Sequence, residues 1–329
     1  MAWTNKVLRV NLTTGTCSSE ALNMEWAQDY IGQRGLATRY MVEEVDPTCD
    51  ALGPDNKLIF ATGPLTGTMA STGGRYSVIT KGPLTGAIAC SNSGGFLGAE
   101  LKSAGWDMVI LEGKSEKPVY LYIENDDAKL LSADDIWGKS VWETDEILHK
   151  KHQDPQLRIA ACGRAAESGC LYAAVVNDLH RAAGRSGVGT VMASKNLKAL
   201  AVRGTRGVGN IKDPARFMET VREHKQVLAD HPVTGEGLPT LGTQVLMNVI
   251  NETGALPTRN MREVKFEGAT KISAEQMLEV RKTDGKPNLT TNAACFGCTI
   301  ACGRISTIDQ GHFTVENKPQ YWGNSGGLE

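Results

Sequence analysis

Three cysteines lie close together near the end of the chain, in the stretch AACFGCTIACGR at residues 293–304. They are Cys295, Cys298 and Cys302, and the residues between them are small or apolar, with no charged side chain. On an α-helix, positions i, i+3 and i+7 fall within about 60° of one another, so the three thiols would share one face. Thiolates bind soft metals and iron–sulfur clusters. The spacing therefore favours an iron–sulfur cluster, with structural zinc and uncoordinated core thiols as the alternatives.

A cluster with four ligands needs one more, and there are three sources for it. After Cys302 the printed sequence has no further cysteine, and only His312 could coordinate. Five other cysteines lie upstream and are expected to be buried thiols rather than ligands: Cys17, Cys49, Cys90, Cys162 and Cys170. The third source is sequence beyond residue 329, because the final stretch YWGNSGGLE has no helix or strand pattern and is typical of a truncated protein.

Two glycine-rich stretches, STGGRYS at 71–77 and CSNSGGFLGAEL at 90–101, are suited to hold a polyanionic, multi-ring cofactor. In the first, paired glycines permit close backbone approach beside Arg75. In the second, the glycine pair that begins at Gly94 leads into a predicted helix whose free N–H groups would favour phosphate. The Asn92 amide, which both donates and accepts, could pair with the edge of a heterocycle. Taken singly, each loop is more often an ordinary turn.

A third stretch, HRAAGRSGVGTVMASKNLKAL at 180–200, carries Arg181 and Arg185, whose forked donors suit phosphate or ring oxygens. Its GRSGVG segment matches a dinucleotide fingerprint only loosely, because it follows no clear strand and no acidic residue occurs before Asp213. A nicotinamide-linked oxidoreductase is therefore a weak alternative. Three such loops in one β-rich region, followed by a cysteine cluster, favour cofactor binding over isolated turns.

The first part of the chain, which must position these loops, reads mostly as strands. Apolar runs predict strands at 6–12, 57–61, 76–80, 107–113, 118–124, 158–163 and 197–204, with short helices near 35–45, 96–104 and 140–151. The pentapeptide GPLTG occurs at 63–67 and again at 82–86, on either side of one predicted strand. These repeats are either two loops that approach one ligand from two sides or two ordinary turns.

The second part of the chain reads as helical. Asp213 and Pro214 open a helix that continues to residue 230, a second helix is predicted at 243–254, and Ser273 begins a third at 273–282. The predicted fold class is therefore α+β. A β-rich, cofactor-binding domain at 1–208 is followed by the start of an α-helical domain at 209–329, which carries the cysteine motif.

Composition and charge exclude several classes of function. The formal net charge is −2 and there is no long basic run, so nothing indicates binding to nucleic acid or to an anionic membrane surface. No stretch of about 18 apolar residues occurs, so no membrane span is expected. The first residues, MAWTNKVLRVNLTTGT, lack the apolar core of a signal peptide. A cytoplasmic, reducing location is therefore expected, and this favours free thiols over disulfides.

Taken in order, these motifs resemble the aldehyde ferredoxin oxidoreductase family. The segments that carry the resemblance are YIGQRGLATRYM, GGRYS, SNSGGFLGAELK, HRAAGRSGVGTVMASKNLKA, GALPTRNM and the Cys-x2-Cys-x3-Cys motif. The resemblance runs essentially from residue 5 to the end. It implies a tungsten or molybdenum enzyme with a bis-pterin cofactor beside a 4Fe-4S cluster. It also implies that this chain is the N-terminal portion of a longer protein, whose later helices supply the fourth cysteine.

The same resemblance implies roles for particular residues. Contacts with the pterins or their phosphates would come from Arg75, Asn92, Gly94, Arg181, Ala182 and Gly184, and the cluster would be held by Cys295, Cys298 and Cys302. The full enzyme would oxidise an aldehyde or related oxo substrate to a carboxylate and pass electrons through the cluster to a ferredoxin-like acceptor. No catalytic residue is assigned, and a homodimer is a candidate assembly. The competing prediction is a non-catalytic scaffold that is stabilised by zinc.

Overall fold

The computed structural model divides the chain into two units, Met1–Met218 and Glu219–Glu329. It describes residues 2–281, 283–308 and 315–320. Helices make up 31% of the chain and strands 26%, with two mixed six-stranded sheets, so the predicted α+β class is confirmed. None of the helices in the described ranges has both the length and the apolar character needed to cross a membrane.

The first sheet of the first unit is formed by β1 (Lys6–Asn11), β2 (Thr16–Ala21), β3 (Leu58–Thr62), β4 (Tyr76–Lys81), β5 (Ile88–Ser93) and β6 (Met108–Glu112). Its strand order is β2-β1-β6-β3-β4-β5. Strands β1 and β6 run parallel, and all other neighbours are antiparallel. The run Met-Val-Ile-Leu of β6 is buried at every position, as expected for a central strand whose sheet is covered on both faces.

The second sheet is formed by β7 (Val119–Glu124), β8 (Asp127–Ser132), β9 (Arg158–Cys162), β10 (Val175–Asn177), β11 (Arg181–Ala183) and β12 (Leu197–Arg203). Its order is β11-β10-β9-β12-β7-β8. Only β7 and β12 run parallel among these pairs. The edge strand β11 lies against the edge strand β5 of the first sheet, so the two sheets approach each other at this side.

Six helices cover the sheets: α1 (Met24–Tyr30), α2 (Gln33–Glu44), α3 (Leu97–Ser103), α4 (Val141–His152), α5 (Arg164–Glu167) and α6 (Val188–Ser194). Helices α1 and α2 pack on the outer face of the first sheet, and α4 packs on the outer face of the second. Helices α3 and α6 lie between the sheets, in a core that includes Phe60, Trp106 and Met192. This layering fixes the loop that enters β4 and the loops that leave β5 and β10.

The second unit contains helical turns and a small sheet. Its elements are α7 (Pro214–Asp230), which begins in the first unit, α8 (Leu238–Leu241), α9 (Leu246–Glu252), β13 (Leu289–Ala293), β14 (Gly303–Ile308) and β15 (Val315–Gln320). Helix α7 starts as predicted, because the Asp213 Oδ1 atom accepts the backbone N–H of Arg216 at 3.0 Å. The predicted boundary between residues 208 and 209 precedes this helix, and the division between the units falls inside it.

Two predicted helices of the second unit need correction. The first, at 243–254, is divided into a 3-10 turn at Thr243–Val245 and α9. The second, at 273–282, is only a 3-10 turn at Ala274–Leu278 with no side-chain cap. The chain reverses there instead, because the Glu279 carbonyl accepts from the Asn288 backbone N–H at 3.0 Å. Short helices depend on tertiary packing, which the local sequence pattern does not specify.

Candidate functional site

The three glycine-rich loops meet at one end of β4 and β5 in the first unit. Antiparallel pairing of these strands sets Ser77 opposite Asn92 and Tyr76 opposite Ser93. Arg75 directly precedes β4, and the second glycine pair directly follows β5. The third loop reaches the same place, because the backbone N–H of Arg185 donates to the Ser91 Oγ atom at 3.0 Å. Residues that are far apart in the sequence therefore share one site.

Arg75 and Asn92 are in direct contact at this site. The Arg75 Nη1 atom donates to the Asn92 Oδ1 atom at 2.5 Å, and both side chains are exposed. The Asn92 Nδ2 atom donates to the Tyr76 carbonyl at 3.0 Å and to the Ser77 Oγ atom at 3.2 Å. The Asn92 amide therefore orients the Arg75 guanidinium. This differs from the predicted pairing of that amide with the edge of a heterocycle, because its oxygen and its N–H groups already have partners within the chain.

Gln33, at the start of α2, completes this polar platform. Its Nε2 atom donates to the Arg75 carbonyl at 3.0 Å, and its Oε1 atom accepts from Asn92 Nδ2 at 3.3 Å. The Thr66 hydroxyl also donates to the Arg75 carbonyl, at 3.0 Å. We did not predict either residue from its own chemistry. The only signal for Gln33 was its place in the motif YIGQRG, since the contact spans more than forty positions.

A groove of about 350 Å³ opens beside the platform. Its walls are formed by the start of α2 and by the loop between β3 and β4: Ile31, Gly32, Gln33, Gly63, Pro64, Leu65, Thr66, Ser71, Thr72, Gly73 and Arg75. Arg75 has no ion-pair partner among the residues that the structure describes. The groove thus presents one exposed guanidinium, which is suited to an anionic ligand, whereas the backbone N–H groups of Gly32, Thr66 and Gly73 already have partners within the chain.

The loop that carries Arg181, Ala182 and Gly184 forms the third side of the site. Arg181 and Ala182 belong to β11, where they pair with Asn177 and Val176 of β10. Gly184 is exposed, and a Cβ atom added there would meet only the Ala182 Cβ atom, at 3.9 Å. The backbone at Gly184 is therefore open to close approach by a ligand.

The structure does not support the predicted phosphate site at the start of α3. The Asp178 Oδ2 atom already accepts the backbone N–H groups of Phe96 at 2.8 Å and Leu97 at 3.4 Å. A carboxylate from the same chain thus occupies the donors that a phosphate would need. Gly94 still belongs to the site, because its carbonyl accepts from the Asn177 Nδ2 atom at 2.9 Å.

We expect Gly95→Ala to lower the free energy of unfolding far more than Gly138→Ala. Both glycines have positive φ, +87° and +76°, so alanine costs each of them about 1–2 kcal/mol. At Gly95 the added Cβ would also overlap the Asp178 Oδ2 atom, whereas at Gly138 nothing lies within 4 Å. Overpacking should add about 1–3 kcal/mol at Gly95 alone. Urea unfolding of both variants tests this, and equal losses would contradict it.

The structure also gives the positions of the two GPLTG repeats and of the GRSGVG segment. The GPLTG repeats lie at opposite ends of β4, which are about 17 Å apart, so they do not approach one ligand from two sides. Only the repeat at 63–67 borders the groove. The GRSGVG segment follows β11, an antiparallel edge strand, rather than the parallel strand of a dinucleotide-binding unit. This arrangement differs from that of a dinucleotide-binding unit.

The cysteine motif forms a hairpin loop between β13 and β14, not a helix. The Cys298 backbone N–H donates to the Cys295 carbonyl at 3.1 Å, and Gly297 has φ +63°. All three cysteines are half-buried free thiols. Within residues 2–281, 283–308 and 315–320, no three metal-ligating side chains lie close enough to hold one metal ion. His312, a predicted alternative ligand, lies outside the described residues.

The predicted helix fails because two residues of the loop adopt left-handed backbone conformations. These are Gly297 at φ +63° and Ala301 at φ +49°, and such conformations interrupt a right-handed helix. Buried Arg304 fixes the far end of the loop, since its guanidinium donates to the carbonyls of Ala301 at 3.1 Å and Leu238 at 2.7 Å. The three thiols are therefore neighbours along the loop rather than members of one helix face.

Comparison with known proteins gives two family matches along the chain. Residues 7–204 match the aldehyde ferredoxin oxidoreductase N-terminal domain, and residues 219–326 match domains 2 and 3 of the same family. Together these ranges include every site residue discussed above.

Individual relatives extend this result. The chain is 51% identical to the tungsten-containing aldehyde ferredoxin oxidoreductase of Pyrococcus abyssi (strain GE5 / Orsay), over 92% of this chain and 49% of that protein. It is 49% identical to the protein of the same name from Thermococcus kodakarensis, over 96% of this chain and 51% of that protein. One solved structure is also similar, the active-site complex BamBC of benzoyl coenzyme A reductase with 1,5-dienoyl-CoA. Its superposition on this chain has a TM-score of 0.80, with 32% sequence identity, and covers 95% of this chain and 48% of that chain. The chain thus spans about half the length of these relatives.

Proposed function

The chain belongs to the aldehyde ferredoxin oxidoreductase family, and from this premise we propose that it forms the tungsten-pterin-binding part of an oxidoreductase. The complete protein would oxidise an aldehyde to a carboxylate and pass electrons to a ferredoxin-like acceptor. The observation that carries the proposal is the hydrogen bond between Arg75 and Asn92 beside the groove. The chain that presents this site is 51% identical in sequence to a tungsten-containing relative. Residues 1–208 would form the pterin-binding domain.

The residues of the site fit a bis-pterin cofactor with phosphate groups. Arg75 offers an exposed guanidinium without an ion-pair partner in the described ranges, and such a group binds phosphate through paired N–H donors. Gly184 leaves open backbone at the opposite loop, where a flat ring system can approach closely. Arg181 and Ala182, in the same loop, would supply further contacts. Asn92 and Gly94 would add contacts of their own, and Asn92 would also hold the Arg75 guanidinium in place.

The chemistry of the reaction would come from the cofactor, which supplies a metal centre able to accept two electrons. The contribution of this chain is to bind and orient that group. Arg75 and Arg181 would neutralise its negative charge, and the wall formed by 63–66 would exclude water from one side of the pterin. We propose tungsten rather than molybdenum, because the relatives at about 50% identity are named as tungsten-containing.

We further propose that Cys295, Cys298 and Cys302 supply three ligands of a 4Fe-4S cluster in the complete protein. The hairpin loop as it stands does not gather the three thiols into one metal site. We also propose that the complete protein is cytoplasmic and forms a homodimer.

Elemental analysis of the longest natural form of the protein tests the proposal. Cells grown with tungstate should yield a brown protein that contains tungsten, pterin, iron and acid-labile sulfide, with broad absorption near 400 nm, as is general for clusters. A colourless protein that contains zinc and no tungsten would contradict the proposal and favour the zinc-stabilised scaffold. Loss of aldehyde-dependent dye reduction when tungstate is omitted from the growth medium would tie the activity to the metal.

A further inference from the structure

The buried side-chain amide of Asn177 is hydrogen-bonded to the loops that form the site. Asn177, the last residue of β10, is 1% exposed. Its Oδ1 atom accepts from the Tyr76 hydroxyl at 2.8 Å and from the Ser93 hydroxyl at 2.7 Å. Its Nδ2 atom donates to the Gly94 carbonyl at 2.9 Å and to the Asp178 Oδ2 atom at 2.7 Å. All the hydrogen-bonding groups of this side chain therefore have partners.

The partners of Asn177 are the immediate neighbours of the residues that would contact the cofactor. Tyr76 follows Arg75, Ser93 follows Asn92, and Gly94 is itself one of the proposed contacts. On the backbone, Asn177 also pairs across the hairpin with Arg181. One side chain thus links the start of β4, the end of β5 and the hairpin between β10 and β11.

The groups around Asn177 favour a single hydrogen-bonding arrangement of its side chain. Burial, followed by the nearby Asp178 carboxylate, raises the pKa of Tyr76, so its hydroxyl stays protonated and donates to Asn177. Asp178 and Leu179 have φ values of +50° and +56°, which L-residues rarely adopt. Such conformations persist where surrounding contacts determine them. The bonds of Asp178 to the start of α3, and of Asn177 to the two strands, are contacts of that kind.

We propose that Asn177 is a positioning residue for the cofactor site, which sets the relative placement of Arg75, the Gly94 turn and the Arg181 loop. The proposal rests on the proposed function, because it assigns Asn177 a role in binding the tungsten-pterin group. Asn177 does not contact the cofactor itself. It acts through its neighbours, as outer groups do around metal ligands.

The chain offers a matched control in Asn56, a second buried asparagine beside the same strand. Asn56 is 0% exposed, and its Nδ2 atom donates to Thr80 Oγ1 at 3.0 Å and to the Ala51 and Lys81 carbonyls at 2.6 and 3.2 Å. These contacts lie at the far end of β4, away from Arg75. Loss of either amide should weaken the core to a similar extent, but only Asn177 is tied to the site.

The test compares Asn177→Ala and Asn56→Ala in the longest natural form of the protein, purified from cells grown with tungstate. Tungsten per protein is measured by mass spectrometry, released pterin by fluorescence, and stability by the midpoint of thermal unfolding. Both variants should unfold at lower temperature than the wild type. Asn177→Ala should retain less tungsten and pterin by roughly tenfold or more, the usual effect of losing an outer partner of a metal site. Asn56→Ala should keep the wild-type ratio.

Several outcomes would overturn the proposal. Wild-type tungsten in Asn177→Ala would mean that Asn177 serves only the core, while the proposed function stands. Equal loss of tungsten in both variants would attribute the effect to stability rather than to position. A wild-type protein without tungsten and pterin would remove the proposed function itself, and the role of Asn177 with it.

A milder variant keeps the test decisive if Asn177→Ala does not fold. Tyr76→Phe combined with Ser93→Ala removes both donors to the Asn177 Oδ1 atom and leaves Asn177 itself in place. This variant should also retain less tungsten than Asn56→Ala. Wild-type tungsten in it would overturn the proposal, because the link to β4 and β5 would then have no effect on the site.

Discussion

Replacing Arg75 with alanine should remove most of the tungsten and pterin from the protein and leave the unfolding midpoint of the cofactor-free protein nearly unchanged. The side chain is exposed, and its hydrogen bond to Asn92 joins two exposed groups. Surface changes of this kind usually alter stability by less than about 0.5 kcal/mol. A charge-assisted hydrogen bond to an anionic group is worth about 1.5–3 kcal/mol, so cofactor retention should fall roughly tenfold to a hundredfold.

Arg164→Ala is the matched control for this experiment. Arg164 is also an exposed arginine, with 62% of its side chain accessible, and it pairs with Glu143 of helix α4, which covers the second sheet. It should keep the wild-type content of tungsten. Arg75→Lys separates charge from shape, because lysine restores the positive charge without the planar fork of donors. If Arg75→Ala keeps its pterin while its melting temperature falls, Arg75 is a structural residue and the cofactor interpretation of the loop is wrong.

Strands that are buried on both faces could be predicted from the sequence, because their side chains are almost all apolar. β3, β6 and β12 are of this kind, and the predicted ranges agree with the structure to within about two residues. β5 was not predicted, since its inward positions are Ala89, Ser91 and Ser93. Those serines are buried because distant groups such as Arg185 and Asn177 bond to them. A local pattern cannot contain that information.

The site itself was predictable as a set of residues but not as an arrangement. Arg75, Asn92, Gly94 and the Arg181 loop were each identified by composition or by the family resemblance. Their meeting depends on the register of β4 against β5 and on the approach of β11 to β5, which are long-range contacts. Asn177 shows the same limit, because its importance comes from partners more than eighty positions away.

The cysteine loop shows where the spacing of residues is insufficient. Spacings of three and four residues suit a helix, yet they also suit a hairpin loop when residues with left-handed backbone lie between the cysteines. The first two thiols flank a turn that is closed by the bond from Cys298 N–H to the Cys295 carbonyl, as in a Cys-x-x-Cys knuckle. Cys302 lies at the far end of the loop, beside the start of β14.

Replacing Cys298 with serine in the longest natural form should reduce bound iron and sulfide to near zero. Cys298 is the central member of the motif, and without it only two of the three proposed thiolate ligands remain. A serine hydroxyl is a poor substitute, because thiolates are the usual ligands of iron–sulfur clusters. The measurement is the iron and acid-labile sulfide content, together with the absorption near 400 nm that clusters generally show.

Cys49→Ser provides the control for Cys298→Ser. Like Cys298, Cys49 is a half-buried free thiol, but it lies in the first unit. Burial raises the pKa of Cys49, which keeps it protonated and makes it a poor metal ligand. That variant should therefore keep its full iron content. A Cys298→Ser protein with a complete complement of iron and sulfide would refute the assignment of the motif. Loss of zinc instead of iron would show that the knuckle turn of Cys295 and Cys298 serves a structural zinc site, the role in which such turns most often occur.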